Sequence, residues 1–452
     1  MSRERLSPFE RGLRLFTDVR PGEGAIGLVL LAAVFLILAS YYLIKPAREG
    51  FLAASAIEAF SDIELKAYSS FGQSLLLLLA IPLYDRLAER LTRRALVTWI
   101  PLFFVANLLL FWCAQPGLFL DNVPLVGIAF YLWVGIFNVF IVAQFWSFAA
   151  DVYSDERGRR LFPMIAIGAT AGAATGAGIA DALVESAGVD AYSLLLGAAL
   201  LLGASVLFLR IADGHGRDGG RNEPKHGAKA ALAGALPLVF RHRLLTAVAF
   251  LILAVNWVNT NGENFLFGAV QEALRAEAAE QGLDAAATTR FLREETTAFY
   301  GDLFFWVNLV ALVLQSFVAS RLLKYGGFAT ILLLLPVISF VSYTAMALFP
   351  VLFVIRAMKI AENSTDYSIH NTAKQVLWLP TTTDMKFKAK AAIDTLFVRF
   401  GDGLAAATAF AGTKVLSLSL PTLFAVNAAI VIVWLVLGLV VVREHRRWSR
   451  KG

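Results

Sequence analysis

Residues 351–379 read VLFVIRAMKIAENSTDYSIHNTAKQVLWL. On a helix that turns about 100° per residue, Arg356, Lys359, Asn363, Asp366, His370 and Lys374 fall within an arc of roughly 80°. Leu352, Phe353, Ile360, Ile369 and Val376 occupy the other sides. A charge facing hydrocarbon costs about 2.5–3.5 kcal/mol at the centre of a spanning helix. If this stretch crosses a membrane, its polar stripe has to face other protein or a water-filled path. That is expected of a protein that moves a solute, and not of an anchor.

The rest of the chain says that it does cross one. Of 452 residues, 58% are hydrophobic and only 16% charged, with a mean hydropathy of +0.67; soluble domains carry about 25% charged residues. The formal charge of +6 lies mainly in short loops between apolar runs, where basic residues set topology, so no nucleic-acid partner is expected. Cys113 is the single cysteine and sits in an apolar run, which excludes disulfides and cysteine-ligated metal clusters. No cleavable signal precedes the first apolar run, and Glu4, Glu10 and Asp18 argue against an organellar transit peptide.

Runs of about 20 apolar residues span a bilayer. They are read near 25–44, 66–84, 95–113, 124–150, 162–184, 191–209, 244–268, 296–318, 328–349, 351–379, 391–412 and 421–442. The tenth is too polar for a hydropathy window and is included partly to keep the loop charges in parity; Asp394, Arg399 and Asp402 make the eleventh marginal. With the N-terminus inside, 29 Lys/Arg fall on the cytoplasmic side and 7 outside, with four more (Arg356, Lys359, Lys374, Arg399) within spans, which accounts for all 40. Both termini are therefore expected in the cytoplasm. The expected organisation is a cytoplasmic segment 1–24, a six-helix bundle 25–209, a Gly/Arg/Lys/His-rich linker 210–243, a second six-helix bundle 244–442 and a tail 443–452. The external stretch 269–295 is Ala/Glu-rich and predicted helical. No alternating pattern supports a β-barrel.

Several residues carry candidate chemistry. Lys45 and Arg48 share a face near the outer end of the first span, with Glu49 above them, and read as a cationic wall or as interfacial anchors. The seventh span holds Asn256, Asn259, Asn261, Glu263 and Asn264, suited to a sugar, a base or a proton site, or to bonding between helices. Arg356, Lys359, Asp366 and Arg399 point to a solvated cavity, whereas Lys374 and Asp394 read as gate or loop pairs; His370 titrates near neutrality unless it is hydrogen-bonded. Gly168, Gly172 and Gly176, with Gly178 beside them, form a small-residue stripe read as helix packing. Nothing resembles a phosphate-binding Gly-rich loop, a paired-histidine metal site or a nucleophile–base spacing, so no enzyme and no cofactor is expected.

The stretches LIKPAREGFL (43–52), FWSFAADVYSDERGRRLFPMIAIGA (145–169), TAFYGDLF (297–304) and TTTDMKFKAKAAIDTLFVRFGDG (381–403) resemble the ATP/ADP translocase family of plastids and intracellular bacteria. The family is a divergent branch of the major facilitator superfamily, and the resemblance runs over nearly the whole length. A weak internal echo, Trp146 with Trp378 and Gly168 with Gly401 at offsets of 232 and 233 residues, fits that superfamily's parallel repeats. The resemblance implies an all-α polytopic fold of twelve transmembrane helices in two six-helix bundles, and counter-exchange of nucleoside triphosphate for diphosphate. It places Arg48 where the exchangers carry a first-span lysine and Glu263 where they carry a seventh-span acid. Val134, with Asn138 one turn on, stands where they carry a fourth-span glutamate. Asp402 stands where they carry a basic residue after the glycine of span eleven, with Arg399 a turn earlier.

The site is accordingly expected among Lys45, Arg48, Asn138, Asn259, Glu263, Arg356, Lys359, Asp366, Arg399 and Asp402. The substrate is expected to be a nucleotide or another anion, and the protein a monomer in a bacterial inner membrane. Two other readings fit the same residues: a proton-coupled transporter using Glu263, Asp366 and Asp402, and a non-transporting scaffold or sensor with this fold.

Overall fold

The computed structural model describes residues 20, 23–55, 57–119, 124–153, 155–215, 236–382 and 385–449. Most of the expected linker, nearly all of the N-terminal segment and the end of the tail lie outside the described residues. The helices are α1 Gly24–Ala53, α2 Asp62–Arg90, α3 Arg93–Cys113, α4 Pro124–Val152, α5 Asp155–Asp181, α6 Ser193–His215, α7 Arg243–Glu280, α8 Ala285–Val313, α9 Ala319–Leu348, α10 Leu352–Thr365, α11 Val398–Phe410 and α12 Leu420–Ser449. α10 continues through a wide π turn at Asp366–His370 into Asn371–Leu377, and α11 is preceded by π turns at Met385–Ala389 and Ile393–Phe397.

Nine stretches among the described residues are long and apolar enough to cross a membrane. One, Ala285–Leu348, is 64 residues long and is broken at Gly327, whose φ of 72° only glycine adopts without strain; the ninth expected span begins at the next residue. The expected spans ten and eleven fall on the polar helices α10 and α11, outside the nine. The 269–295 stretch is helical as read: α7 runs on to Glu280, Gly282 at φ 66° turns the chain, and Asp284 caps α8 by accepting from the Ala287 amide at 2.7 Å.

The described residues form two compact units, each denoted by the ranges they fall in. The first comprises 1–51, 83–225 and 293–305. Its core is an aromatic cluster in which Phe104, Phe111 and Phe130 pack about the Trp133 ring of α4. The small-residue stripe of α5 does what its spacing predicts: it lies on α1, Gly168 against Leu31, Gly172 against Phe35 and Gly176 against Ala39. Leading into α1, Glu23 accepts both guanidinium branches of Arg160, at 2.9 and 3.0 Å, with Arg157 at 3.4 Å.

Burial pushes the Glu23 carboxyl up, but the hydrogen bonds from Arg160 and the charges of Arg160 and Arg157 outweigh it and hold the group below its ordinary 4.5. A carboxyl depressed in the fold contributes stability that is present above 4.5 and lost as the pH falls through its lower folded value. Glu23→Gln is expected to cost about 1 kcal/mol near neutrality, with the gap from the parent closing in thermal melts taken down to about pH 3. A gap that stays constant over that range assigns the loss to packing.

The second unit comprises 52–82, 226–292 and 306–452. Here α2 packs closely on α7 and α11: a Cβ at Gly268 would press on Ile63, and one at Gly403 would lie 3.3 Å from the Phe71 ring. Arg275 of α7 forms a two-pronged pair with Asp62 at 2.8 and 3.1 Å. Trp434, Phe265, Phe424 and Tyr343 fill the unit's apolar interior.

Candidate functional site

The second unit contains a cavity of about 450 Å³, within the range of small-molecule sites. Its wall is built from one turn of α7 (Asn256, Asn259), the π turn with Asp366, the following turns with Lys374 and Trp378, and Lys390 and Asp394 ahead of α11. Both aspartates lie in π turns, wide turns that often accompany functional sites. The cavity thus sets two ammonium groups against two carboxylates among amides and one indole. Lys374 Nζ stands 3.8 Å from Asp366 Oδ1, beyond hydrogen-bond length.

Two compact polar clusters belong to the same unit. In the first, Lys359 is fully buried, and its ammonium lies 2.8 Å from Glu362 Oε2 and 3.1 Å from Glu263 Oε1. Glu362 also accepts from Tyr343 Oη at 2.8 Å and Ser339 Oγ at 3.1 Å, while Asn363 donates to Glu263 at 3.0 Å. Gly262 makes room for this: a Cβ there would sit 2.9 Å from Lys359 Nζ. In the second, Asp402 accepts from Asn256 at 2.6 Å, Thr260 at 3.0 Å, Arg399 at 3.3 Å and Ser74 Oγ, and Arg399 donates to the same serine at 3.0 Å. This ties α2, α7 and α11 together.

Of the expected site residues, Asn259 and Asp366 line the cavity. Glu263 joins Lys359, and Arg399 joins Asp402, each cation beside a carboxylate. Arg356 is half-buried one turn before Lys359. In the first unit, Lys45 is buried with its ammonium 3.8 Å from the Phe304 ring centre and 4.8 Å from that of Tyr42. Arg48 lies 4.5 Å over Tyr131 and donates from Nε to Glu49 at 3.0 Å. Both are cation–π contacts, so neither side chain is simply an interfacial anchor. Asn138 is half-buried on α4. Lys374 and Asp394, read as gate or loop pairs, are cavity-wall residues. His370 is fully buried with both ring nitrogens lacking a hydrogen-bond partner among the described residues, edge-on to Trp434.

The sequence reading missed Glu362 and Lys390. The signal for the first was present, a glutamate three residues after Lys359. Lys390 lies one residue before the assumed start of span eleven.

Residues 346–445 match the model of the TLC ATP/ADP transporter family. The ADP,ATP carrier protein 1 of Chlamydia muridarum is 26% identical over 127 residues, covering 24% of this chain and 24% of that protein; its counterpart in Chlamydia pneumoniae is 25% identical over 123 residues. The chain therefore aligns with about a quarter of the length of these curated relatives. Among solved structures, a POT family transporter in complex with a thioalcohol-conjugated peptide superposes with a TM-score of 0.64 at 12% identity, covering 94% of this chain and 97% of that one. The nucleoside transporter NupG, in a mutant form, gives 0.61 at 14% identity, covering 92% and 99%. These likenesses establish the all-α, major-facilitator-like fold. Of the four motifs that carry the resemblance, TTTDMKFKAKAAIDTLFVRFGDG (381–403) lies within the matched stretch 346–445, which runs through α10, α11 and most of α12 and is similar to the TLC ATP/ADP transporter family.

Proposed function

We propose that this chain is an integral membrane transporter that exchanges nucleotides, ATP for ADP or related tri- and diphosphates, by alternating access. One observation carries the reading. The segment that matches the TLC family supplies Asp366, Lys374, Trp378, Lys390 and Asp394, and so most of the cavity wall. The ADP,ATP carrier proteins to which the chain is similar over 127 residues supply the substrate class. In this reading two bundles, 25–209 and 244–442, make twelve crossings of a bacterial inner membrane with both termini in the cytoplasm, and the chain acts as a monomer.

The geometry supports a specific division of labour. Lys374 and Lys390 take the phosphates, because Lys359 and Arg399 are already matched by carboxylates within hydrogen-bonding distance. The open spacing of Lys374 and Asp366 leaves room for a phosphate oxygen to replace that pairing. Trp378 offers a face for the base, and Asn259, with its neighbouring amides, offers hydrogen bonds to base or ribose. Closing the site empty leaves the ammonium groups of Lys374 and Lys390 desolvated with no phosphate between them, which is costly. A bound anion removes that penalty, and exchange follows.

Proteoliposomes test this directly. Labelled ATP is expected to enter vesicles loaded with ADP and not empty ones, and Lys374→Ala with Lys390→Ala is expected to lower the rate at least about tenfold, two charge-assisted contacts being lost. Uptake that ignores internal nucleotide and collapses with the pH gradient overturns exchange in favour of proton coupling.

A further inference from the structure

A second, separate cavity of about 520 Å³ lies in the second unit where α12 passes α9. Among the described residues its lining is of two kinds: the apolar Ala329, Leu333, Leu439 and Val442, and the arginines Arg443, Arg446 and Arg447. The two helices approach closely here, a Cβ at Gly438 lying 2.8 Å from Leu333 Cδ2. One turn away, His445 stacks on Phe328 with ring centres 4.0 Å apart.

The charges are unevenly spent. Arg447 donates to Glu444 at 2.6 Å. Among the described residues Arg443 and Arg446 have no ion-pair partner, and both are exposed. No charged residue occurs between Leu420 and Val442, so Arg443 marks the level at which α12 leaves the apolar layer. Leu439, on the same face one turn deeper, is 58% exposed. The cavity therefore has a cationic rim at headgroup depth above an apolar wall open to the acyl chains.

We propose that this cavity binds an anionic glycerophospholipid from the leaflet that faces the C-terminus, its phosphate held by Arg443 and Arg446 and an acyl chain lying along Leu439 and Leu333. The chemistry favours this occupant. Two unmatched guanidinium groups attract phosphate, basic pockets between spanning helices are suited to anionic headgroups, and the described residues of the wall include no side-chain amide or aromatic group that would recognise a base or a sugar. The site is distinct from the Lys374–Lys390 cavity and does not depend on what that cavity transports.

The test uses the full chain purified in a phosphatidylcholine-compatible detergent. Thermal melts and native mass spectrometry are run with added phosphatidylglycerol, phosphatidylcholine or inorganic phosphate. Phosphatidylglycerol is expected to raise the melting temperature and remain bound, whereas phosphatidylcholine and inorganic phosphate do neither. R443Q with R446Q is expected to lower phosphatidylglycerol retention at least about tenfold. Equal retention by the double variant, or equal binding of phosphatidylcholine, overturns the proposal, and a shift reproduced by inorganic phosphate reassigns the rim to a free anion. If the double variant fails to yield monodisperse protein, phosphatidylglycerol with a photoreactive acyl chain decides on the parent chain. Label confined to 329–333 and 439–447 supports the site, and label spread evenly over the lipid-facing surface overturns it.

Discussion

Gly172→Val is expected to abolish the yield of folded protein, and even Gly172→Ala to cost about 1–3 kcal/mol, the usual range for overpacking a close contact. A Cβ at this position would lie 2.9 Å from Phe35 Cα and nearer still to Phe35 O. Backbone cannot rotate aside as a side chain can, so the remedy is to move α5 off α1. That movement also separates Gly168 from Leu31 and Gly176 from Ala39, and the dispersion contacts of three successive turns weaken together. Gly203 on α6 provides the control within the same unit, since a Cβ there would meet nothing within 4 Å. Gly203→Ala is expected to be neutral or stabilising by up to about 1 kcal/mol through helix propensity alone. Apparent melting temperatures in detergent and monodispersity on size-exclusion chromatography compare the variants. Equal tolerance of alanine at 172 and 203 would sink the packing argument.

That stripe was legible because its periodicity is local, and the apolar runs were legible for the same reason. The partners of the buried charges were passed over, although the i,i+3 spacing of Glu362 from Lys359 was there to read. On an ideal helix Glu362 points about 40° beyond the edge of the arc that gathers Arg356, Lys359 and Lys374, so a face-by-face reading of 351–379 passes over the residue that neutralises Lys359. The π turn at Asp366–His370 compounds this. It inserts one residue into the turn and rotates everything downstream by roughly one residue's 100°. His370 and Lys374 therefore leave the line of Lys359: the first is buried beside Trp434, the second lines the cavity. Periodicity also carries no information on the grouping of 52–82 with the later part of the chain. That grouping rests on long-range contacts such as Ser74 with Asp402 and Ile63 with Gly268, which no window along the sequence reports.

Lys359→Met separates the two roles a buried cation can have. The ammonium is 0% exposed, and Glu362 beside it only 3%. Removing the lysine leaves Glu362 with hydrogen bonds from Tyr343 and Ser339 but no counter-charge. Loss of one member of a buried pair costs about 3–5 kcal/mol, most of it the penalty of the charge left behind. The single variant is therefore expected to melt far below the parent. Lys359→Met combined with Glu362→Gln is expected to recover most of the loss, because the more deeply buried of the two carboxylates is gone, while Glu263, 27% exposed, keeps its bond from Asn363 and reaches water. The coupling energy of that cycle measures the pair. If Lys359 serves the fold of the second unit and Lys374 and Lys390 serve the phosphates, the recovered double variant binds ADP with nearly parental affinity in isothermal titration. A double variant that is stable yet has lost ADP binding by tenfold or more would return Lys359 to the substrate and make the Glu263–Glu362 pair a placeholder for the nucleotide's own negative charge.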